Sequence, residues 1–521
     1  MTSSVLLSLF LAVFSGLQQV DRSESDRWFG QARRHFERQE WDQSRSAALK
    51  ALQLDPQFAD AEILLGLIAT AQARLPEAEQ HLKRAITLQP SNPQAHSYLA
   101  GVYLQQKRLA EAERGYRQVL KLSQDNPAAL YNLGLIALLR DQPASALGNF
   151  ERVRRKNPRD VPALMGLLET QLLLKRNTEV RQSVARLEAI LAAADPRLFQ
   201  MATLLAVHEE YSSAIPILER LHKNLPGALD VSYNLALAYA QTGQNDQAAE
   251  VLRSSPGLDQ KAEALNLLGQ VEQKRNNPEE ALLTLSRAAV LQPRNEQFRF
   301  DYANQLLQTG KSEKSAEAFS QGCLDFSQSW KMRAGLGACQ YLAGQYEKAA
   351  QSLLGAVQIE PDSSILFLLL GRLYPLAVDS QMKIREEFSR YLDRARTDAW
   401  AYFNYGNILF LEAQSQKQPD FEPAVRHLRR ALELSPQFPE ASLQLGLVFQ
   451  TQGKVDESVR ILQQVVAAAP ELASARYRLA QTYQRLGVKE KARIEFAAYE
   501  KLKARSNPAE EIHSILQRVG R

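Results

Sequence analysis

Apolar residues recur along this chain at the spacing of amphipathic helices, and the helices come in pairs. Between residues 93 and 126, Leu99 and Tyr103 lie on one apolar stripe and Ala112 and Tyr116 lie on a second. Residues three or four positions apart fall on the same face of a helix, so each stripe predicts one helix with a buried side. The two stripes are separated by a few polar residues, which predicts a short turn between two antiparallel helices.

The same pattern returns with a period of 34 residues. Pro90 follows Pro56 by 34 residues, and Pro470 follows Pro436 by the same interval. Proline lacks a backbone N–H and clashes with the preceding turn, so it marks the place where each second helix ends. A period of this length predicts a solenoid, in which the repeats stack in a line and bury one continuous core.

Small and large apolar residues and a final proline recur at fixed positions of the repeat. They are Leu65, Gly66, Ala78, Leu82, Ala85 and Pro90 in one repeat, and Leu130, Leu133, Gly134, Ala146, Phe150 and Pro158 in another. This pattern resembles that of the tetratricopeptide repeat family. The resemblance implies an all-α fold, a right-handed superhelical solenoid of antiparallel helix pairs.

About fourteen repeats are predicted between residues 25 and 505. We expect irregular repeats at 161–194, 364–398 and 399–438, because small residues, helix length or turn residues depart from the pattern there. Residues 506–521 are expected to form a capping helix that covers the apolar face of the last repeat. The apolar residues of that helix are Ile512, Ile515, Leu516 and Val519.

Charge and cysteine content narrow the function only slightly. The formal net charge of +5 over 521 residues is weak, and basic residues are not gathered on one face, so no nucleic-acid partner is predicted. Cys323 and Cys339 fall on successive predicted helices, which would allow a disulfide, although two free thiols are the favoured interpretation. Neither cysteine belongs to a metal-binding or redox motif.

The first twenty residues form a separate segment. Residues 5–17 are uncharged and mostly apolar, with the length of a signal-peptide core but too short to span a bilayer comfortably. We therefore expect export to a bacterial periplasm or envelope. An uncleaved membrane anchor and a cytoplasmic chain remain the alternatives.

The sequence offers no constellation that predicts catalysis. It contains none of the glycine-rich phosphate loops, zinc motifs or nucleophile elbows, and the histidines are dispersed among the repeats. We therefore predict a protein that is not an enzyme and binds no cofactor and no metal.

The candidate binding residues lie on the first helix of each repeat. The resemblance implies that these helices line a concave groove. Aromatic and asparagine side chains recur at the positions that would face it. The predicted ligand-binding residues are Tyr131, Asn132, Phe199, Tyr233, Asn234, Phe300, Asn304, Trp400, Phe403, Asn404 and Asn407.

This stripe favours a polypeptide ligand. Aromatic rings supply contact area, and an asparagine amide both donates to and accepts from a peptide bond. We predict a scaffold that binds proteins or peptides in extended form. A carbohydrate-binding envelope protein and a regulatory or targeting subunit of an enzyme complex are the alternatives, and the oligomeric state stays open.

Overall fold

A computed structural model describes residues 22–503 and 508–520. Within these ranges the chain forms 29 α-helices and no strand, and the first 28 follow one another as fourteen antiparallel pairs. The prediction of an all-α chain of tandem helix pairs is confirmed. The predicted N-terminal segment, residues 1–20, lies outside the described residues. None of the described helices is long and apolar enough to cross a membrane.

The chain divides into two compact units, here called the N-terminal and C-terminal halves, with the boundary in the sequence between Pro226 and Gly227. The described part of the N-terminal half holds six helix pairs. They are α1 (Arg22–Glu37) with α2 (Trp41–Leu54), α3 (Ala59–Ala71) with α4 (Leu75–Leu88), α5 (Pro93–Gln105) with α6 (Leu109–Leu122), α7 (Pro127–Leu139) with α8 (Pro143–Lys156), α9 (Val161–Leu173) with α10 (Asn177–Ile190), and α11 (Pro196–Val207) with α12 (Tyr211–Asn224).

The C-terminal half holds eight pairs and one further helix in its described part. The pairs are α13 (Leu229–Gln241) with α14 (Asn245–Ser254), α15 (Ala262–Lys274) with α16 (Pro278–Leu291), α17 (Glu296–Gln308) with α18 (Ser312–Asp325), α19 (Trp330–Leu342) with α20 (Tyr346–Ile359), α21 (Ser364–Leu373) with α22 (Gln381–Arg394), α23 (Ala399–Gln414) with α24 (Glu422–Leu434), α25 (Pro439–Thr451) with α26 (Val455–Ala468), and α27 (Ala473–Arg485) with α28 (Lys489–Lys503). The last helix is α29 (Pro508–Gly520).

Glycine on a first helix lets a large side chain of the second helix sit directly against the backbone. A Cβ atom at Gly66 would lie 2.6 Å from Cγ of Leu82. In the pair α7 and α8, a Cβ atom at Gly134 would lie 2.6 Å from the ring of Phe150. These two pairs are therefore each held by a side chain that fills the space a larger residue on the first helix would need.

In twelve of the fourteen pairs, the link between the two helices turns through one left-handed residue. In the N-terminal half this residue is never glycine in the six described links, and an example is Lys107 with φ of 59°. In the C-terminal half it is glycine at five links, as at Gly243 with φ of 81°. Only glycine adopts this conformation without a steric cost, so the two halves differ in backbone energetics.

The three repeats that were expected to be irregular differ from one another in the lengths of their helices and links. In the repeat at 161–194, α9 and α10 keep ordinary lengths. In the repeat at 364–398, α21 ends at Leu373 and a 3₁₀ turn, Val378–Ser380, precedes α22. In the repeat at 399–438, α23 extends over 16 residues before the loop that leads to α24.

The C-terminal helix lies elsewhere than expected. It packs against the first helices α17, α19 and α21, and not on the last pair. Ile512, Ile515, Leu516 and Val519 join the buried cluster that contains Phe300. The physical reason is that α17, α19 and α21 contribute residues to one buried cluster, which the apolar stripe of α29 joins.

Candidate functional site

The C-terminal helix covers a continuous surface of three consecutive first helices. We call the surface of α17, α19 and α21 that α29 covers the α29 groove. The four apolar side chains of α29 that face it are almost fully buried, and Leu516 has no exposed surface. Ser514, Gln517 and Arg518, which lie outside this apolar stripe, are exposed. A single apolar stripe therefore makes the contact.

Two contacts are made at the last described residue of α29, at one end of the α29 groove. The Lys331 ammonium group on α19 donates to the backbone carbonyl of Gly520 at 3.3 Å. A Cβ atom at Gly520 would lie 2.8 Å from Cε1 of Phe300. A cation near the last carbonyls suits a helix C-terminus, and the close approach to Phe300 leaves no room for a side chain.

A polar cavity of about 600 Å³ adjoins the same end of the groove. It is lined mainly by amide side chains together with one carboxylate and one ammonium group. The lining residues are Gln241, Gln270, Gln273, Lys274, Gln297, Phe300, Asp301, Asn304, Gln308, Gln517 and Gly520. Oδ1 of Asn304 and Nε2 of Gln308 are buried and find no hydrogen-bond partner among the described residues. Two residues that line the cavity therefore have one acceptor and one donor with unused hydrogen-bonding capacity.

Asp301 is the acidic group of this cavity. Its carboxylate accepts hydrogen bonds from Nδ2 of Asn266 at 3.0 Å, Nε2 of Gln270 at 3.1 Å and Nε2 of Gln297 at 2.9 Å. Burial raises the pKa of this carboxyl group above its ordinary value, and the three amide donors and Lys331 oppose that shift only in part.

We expect stability to depend on pH through Asp301. Because its pKa is raised in the folded chain, the protonated form of Asp301 contributes to the free energy of unfolding. This contribution is fully present below the unfolded pKa of about 3.9, and it is lost as the pH rises through the folded pKa. A ¹³C NMR titration of labelled aspartate carboxyls, assigned with the Asp301→Asn variant, should place this pKa above about 3.9. A value at or below the ordinary one would contradict the expectation.

Two of the predicted ligand residues lie beneath α29. Phe300 is 1 % exposed and packs edge-on against the ring of Phe319 at 5.5 Å. Asn304 is buried at the edge of the polar cavity. The structure therefore brings both residues to the end of the α29 groove, where α29 covers Phe300 and Asn304 lies at the adjoining cavity.

Four predicted residues lie together on α23. Trp400 remains 43 % exposed, and its ring contacts Phe403 at 5.7 Å and Phe438 at 4.5 Å. Asn404 is buried against Gly371 of α21 and donates from Nδ2 to the Trp400 carbonyl at 3.0 Å. Oδ1 of Asn407 is buried without a hydrogen-bond partner among the described residues.

Trp400 connects this cluster to the α29 groove. A second cavity, of about 220 Å³, is lined by Trp400, by residues of α21 and by Ser514, Ile515 and Arg518 of α29. The six predicted residues on α17 and α23 therefore lie at and beside one surface.

The remaining predicted residues do not join this surface. Tyr233 and Asn234 lie on α13, where the Tyr233 ring has the Lys261 ammonium group 5.2 Å from its centroid. Tyr131, Asn132 and Phe199 belong to the N-terminal half, and all three are half-buried. Asn132 and Asn234 each donate to the carbonyl four residues earlier at 2.8 Å, so one N–H of each amide is already in use.

The sequence interpretation missed several residues of the site. Asp301, Gln270, Gln297 and Lys331 were not predicted, because a single acidic, basic or amide residue on a helix resembles ordinary solvated surface. The available signal was the concentration of glutamines on the first helices α13, α15 and α17. Among the described residues, no group of acidic, histidine and cysteine side chains is arranged to bind a metal ion, and both cysteines are free thiols.

Comparisons with known proteins identify the repeat. Two models described as tetratricopeptide repeat match the chain, one at residues 69–134, 208–271 and 416–481 and the other at residues 29–93, 266–323 and 300–364. Together these ranges cover more than half of the chain.

Two curated proteins are similar over part of their lengths. Tetratricopeptide repeat protein 8 of Caenorhabditis elegans is 25% identical over 230 residues, which are 43% of this chain and 43% of that protein. BBSome complex member BBS4 of Bos taurus is 23% identical over 195 residues, which are 37% of this chain and 36% of that protein. The chain therefore matches less than half the length of these relatives.

Similar solved structures include Pseudomonas aeruginosa PilF and yeast Tom70. PilF is 21% identical with a TM-score of 0.35, covering 40% of this chain and 96% of its own. Tom70 is 15% identical with a TM-score of 0.37, covering 89% of this chain and 95% of its own. The repeat matches and the paired helices together show that this chain belongs to the tetratricopeptide repeat family.

Proposed function

We propose that this chain is a non-enzymatic scaffold that binds a polypeptide segment of a partner protein on the first helices of its C-terminal half. Proteins of this family generally mediate protein–protein interactions and serve as subunits of complexes. The observation that supports the proposal for this chain is α29, a polypeptide segment already buried on α17, α19 and α21.

The side chains around this surface suit protein binding. Trp400 combines a large ring with substantial exposure, and aromatic residues of this kind supply most of the binding energy at protein interfaces. The buried polar atoms of Asn304, Gln308 and Asn407 have unused hydrogen-bonding capacity. A polypeptide backbone offers the C=O and N–H groups that would satisfy them.

Replacing Trp400 and Tyr233 by alanine tests this proposal. Both side chains were predicted to contact ligand, and loss of a central aromatic residue typically costs about 2 kcal/mol or more, or about 30-fold in affinity. Full-length chain should therefore capture at least one partner from its native organism that the double variant retains at least about tenfold less well.

The control is Leu324→Ala on α18. Leu324 is 74% exposed and lies on a second helix, away from the first-helix surface, so its replacement should leave capture unchanged. Equal capture of every partner by the wild type and the Trp400/Tyr233 variant would refute the proposed surface. Loss of partners in the Leu324 variant would place binding on the second helices.

A further inference from the structure

We propose that the α29 groove is a binding site for an amphipathic helix of a partner protein, and that α29 occupies this site in competition with the partner. The inference rests on the proposed function, because it names the kind of polypeptide that the scaffold binds. It also departs from the extended peptide predicted from the sequence.

The first support is the spacing of the contacts that α29 makes. Its buried residues, at positions 512, 515, 516 and 519, follow the spacing i, i+3, i+4 and i+7. A helix that enters a groove of a folded protein presents this pattern. The groove is therefore shaped for a helix, and any helix with medium-sized apolar residues at these four positions presents the same surface.

The second support is that α29 stands apart from the stack of helix pairs. Each helix from α1 to α28 has its main contacts within its own pair and with adjacent repeats, whereas α29 packs on helices far earlier in the chain. The hydrogen bond from Lys331 to Gly520 joins residues 189 positions apart. The contacts that stack the pairs on one another are thus made without α29, so α29 can leave without interrupting their order.

The third support is a restriction on the residue that ends the bound helix. The Phe300 ring, which lies where a side chain at position 520 would go, is packed against Phe319, and both rings are buried. Phe300 therefore has little freedom to move aside. A partner helix needs glycine at the position after its last apolar contact, and Lys331 then caps its final carbonyl groups.

Beyond this end, the polar cavity offers a place for the chain that follows the helix. A chain leaving a helix has free N–H and C=O groups, because the last turn has no partners for them. Oδ1 of Asn304 can accept from such an N–H, and Nε2 of Gln308 can donate to such a C=O. The site therefore recognises a helix together with the extended residues after it.

The cavity beside Trp400 explains how a partner can displace α29. Ser514 borders this space of about 220 Å³ and has a small side chain, so α29 leaves the space unfilled. A partner helix with a large apolar residue at the corresponding position would bury additional surface against Trp400, Ile365 and Leu368. Such a helix would bind the groove more tightly than a peptide with the sequence of α29.

The test uses the full chain and a defined peptide. The probe is a fluorescent synthetic peptide of residues 508–521, and binding is followed by fluorescence anisotropy. In the Ile515→Asp/Leu516→Asp variant, α29 carries buried charge and should leave the groove. The peptide should bind this variant at least about tenfold more tightly than the wild type, because the short connection of residues 504–507 holds α29 at an effective concentration near the millimolar range.

Peptide variants report on the details of the site. The Leu516→Asp peptide should not bind, and the Gly520→Ala peptide should bind at least about tenfold less tightly because of Phe300. The Ser514→Phe peptide should bind more tightly than the unchanged peptide, because its ring would fill the cavity beside Trp400. A second chain variant, Ile512→Ser/Val519→Ser, opens the groove without introducing charge and should give the same order of affinities.

Each outcome has a defined meaning. One outcome is that the peptide binds neither opened variant although helix content and hydrogen exchange show that α1–α28 are unchanged. That result would refute a helix-binding groove. Equal affinity for the wild type and the opened variants would refute occupation by α29. Neither result depends on capture of a native partner, so a failure of this inference is distinguishable from a failure of the proposed function.

Discussion

Replacing Phe150 by alanine should destabilise the N-terminal half by about 3–5 kcal/mol. The ring has no exposed surface and lies between two first helices. A Cβ atom at Gly134 on α7 or at Gly166 on α9 would lie 2.6 Å from it. Three helix backbones therefore meet around this side chain, and they cannot close the space that its loss would create.

Hydrogen exchange of the helices α7, α8 and α9 measures this effect locally, as an opening free energy reduced relative to the wild type. Phe199→Ala provides the comparison, because Phe199 is only half-buried and its loss should cost about 1 kcal/mol. A cost of less than about 1 kcal/mol for Phe150→Ala would mean that the helices can collapse onto each other.

Replacing Gly335 by alanine, which adds a single methyl group, should also lower the free energy of unfolding. A Cβ atom there would lie 2.5 Å from Cζ of Phe319, whose ring is fully buried. Overpacking of this kind costs about 1–3 kcal/mol. Since Phe319 contacts Phe300, and Phe300 lies against Gly520, the Gly335→Ala variant should also speed hydrogen exchange in α29.

Gly148→Ala is the matched control for this substitution. Gly148 lies within α8, and a Cβ atom there would meet nothing within 4 Å. Alanine should therefore stabilise the helix by about 0.5–1 kcal/mol, through helix propensity alone. Urea unfolding combined with hydrogen exchange would separate the two effects. An unchanged or raised stability of Gly335→Ala would contradict the packing described around Phe319.

Repeat periodicity made the helix pairs predictable from the sequence. Prolines at a period of 34 mark where second helices stop, and the alternation of apolar stripes gives each helix its buried face. The structure places α5 and α7 at Pro93 and Pro127, where repeats were predicted to begin. These features depend on residues close together in sequence, which is why the sequence alone specifies them.

The site was predictable only in part, because its contacts join distant residues. The apolar stripe of α29 was recognised, yet a stripe specifies only that a face is buried and not what buries it. Asp301 and its amide donors Asn266 and Gln270 are about one repeat apart, and Lys331 reaches a carbonyl 189 residues away. Phe300 was expected to contact a ligand, and its covering by the chain's own helix could be found only from the fold.

Because of their left-handed links, the two halves differ in how much glycine substitutions could stabilise them. In the N-terminal half, the six links use residues other than glycine, and each pays a steric cost of about 1–2 kcal/mol for that conformation. These links lie about one repeat apart, so glycine substitutions there would act independently. Thermostability engineering therefore has six separate positions available in the N-terminal half, whereas five links of the C-terminal half already contain the favoured residue.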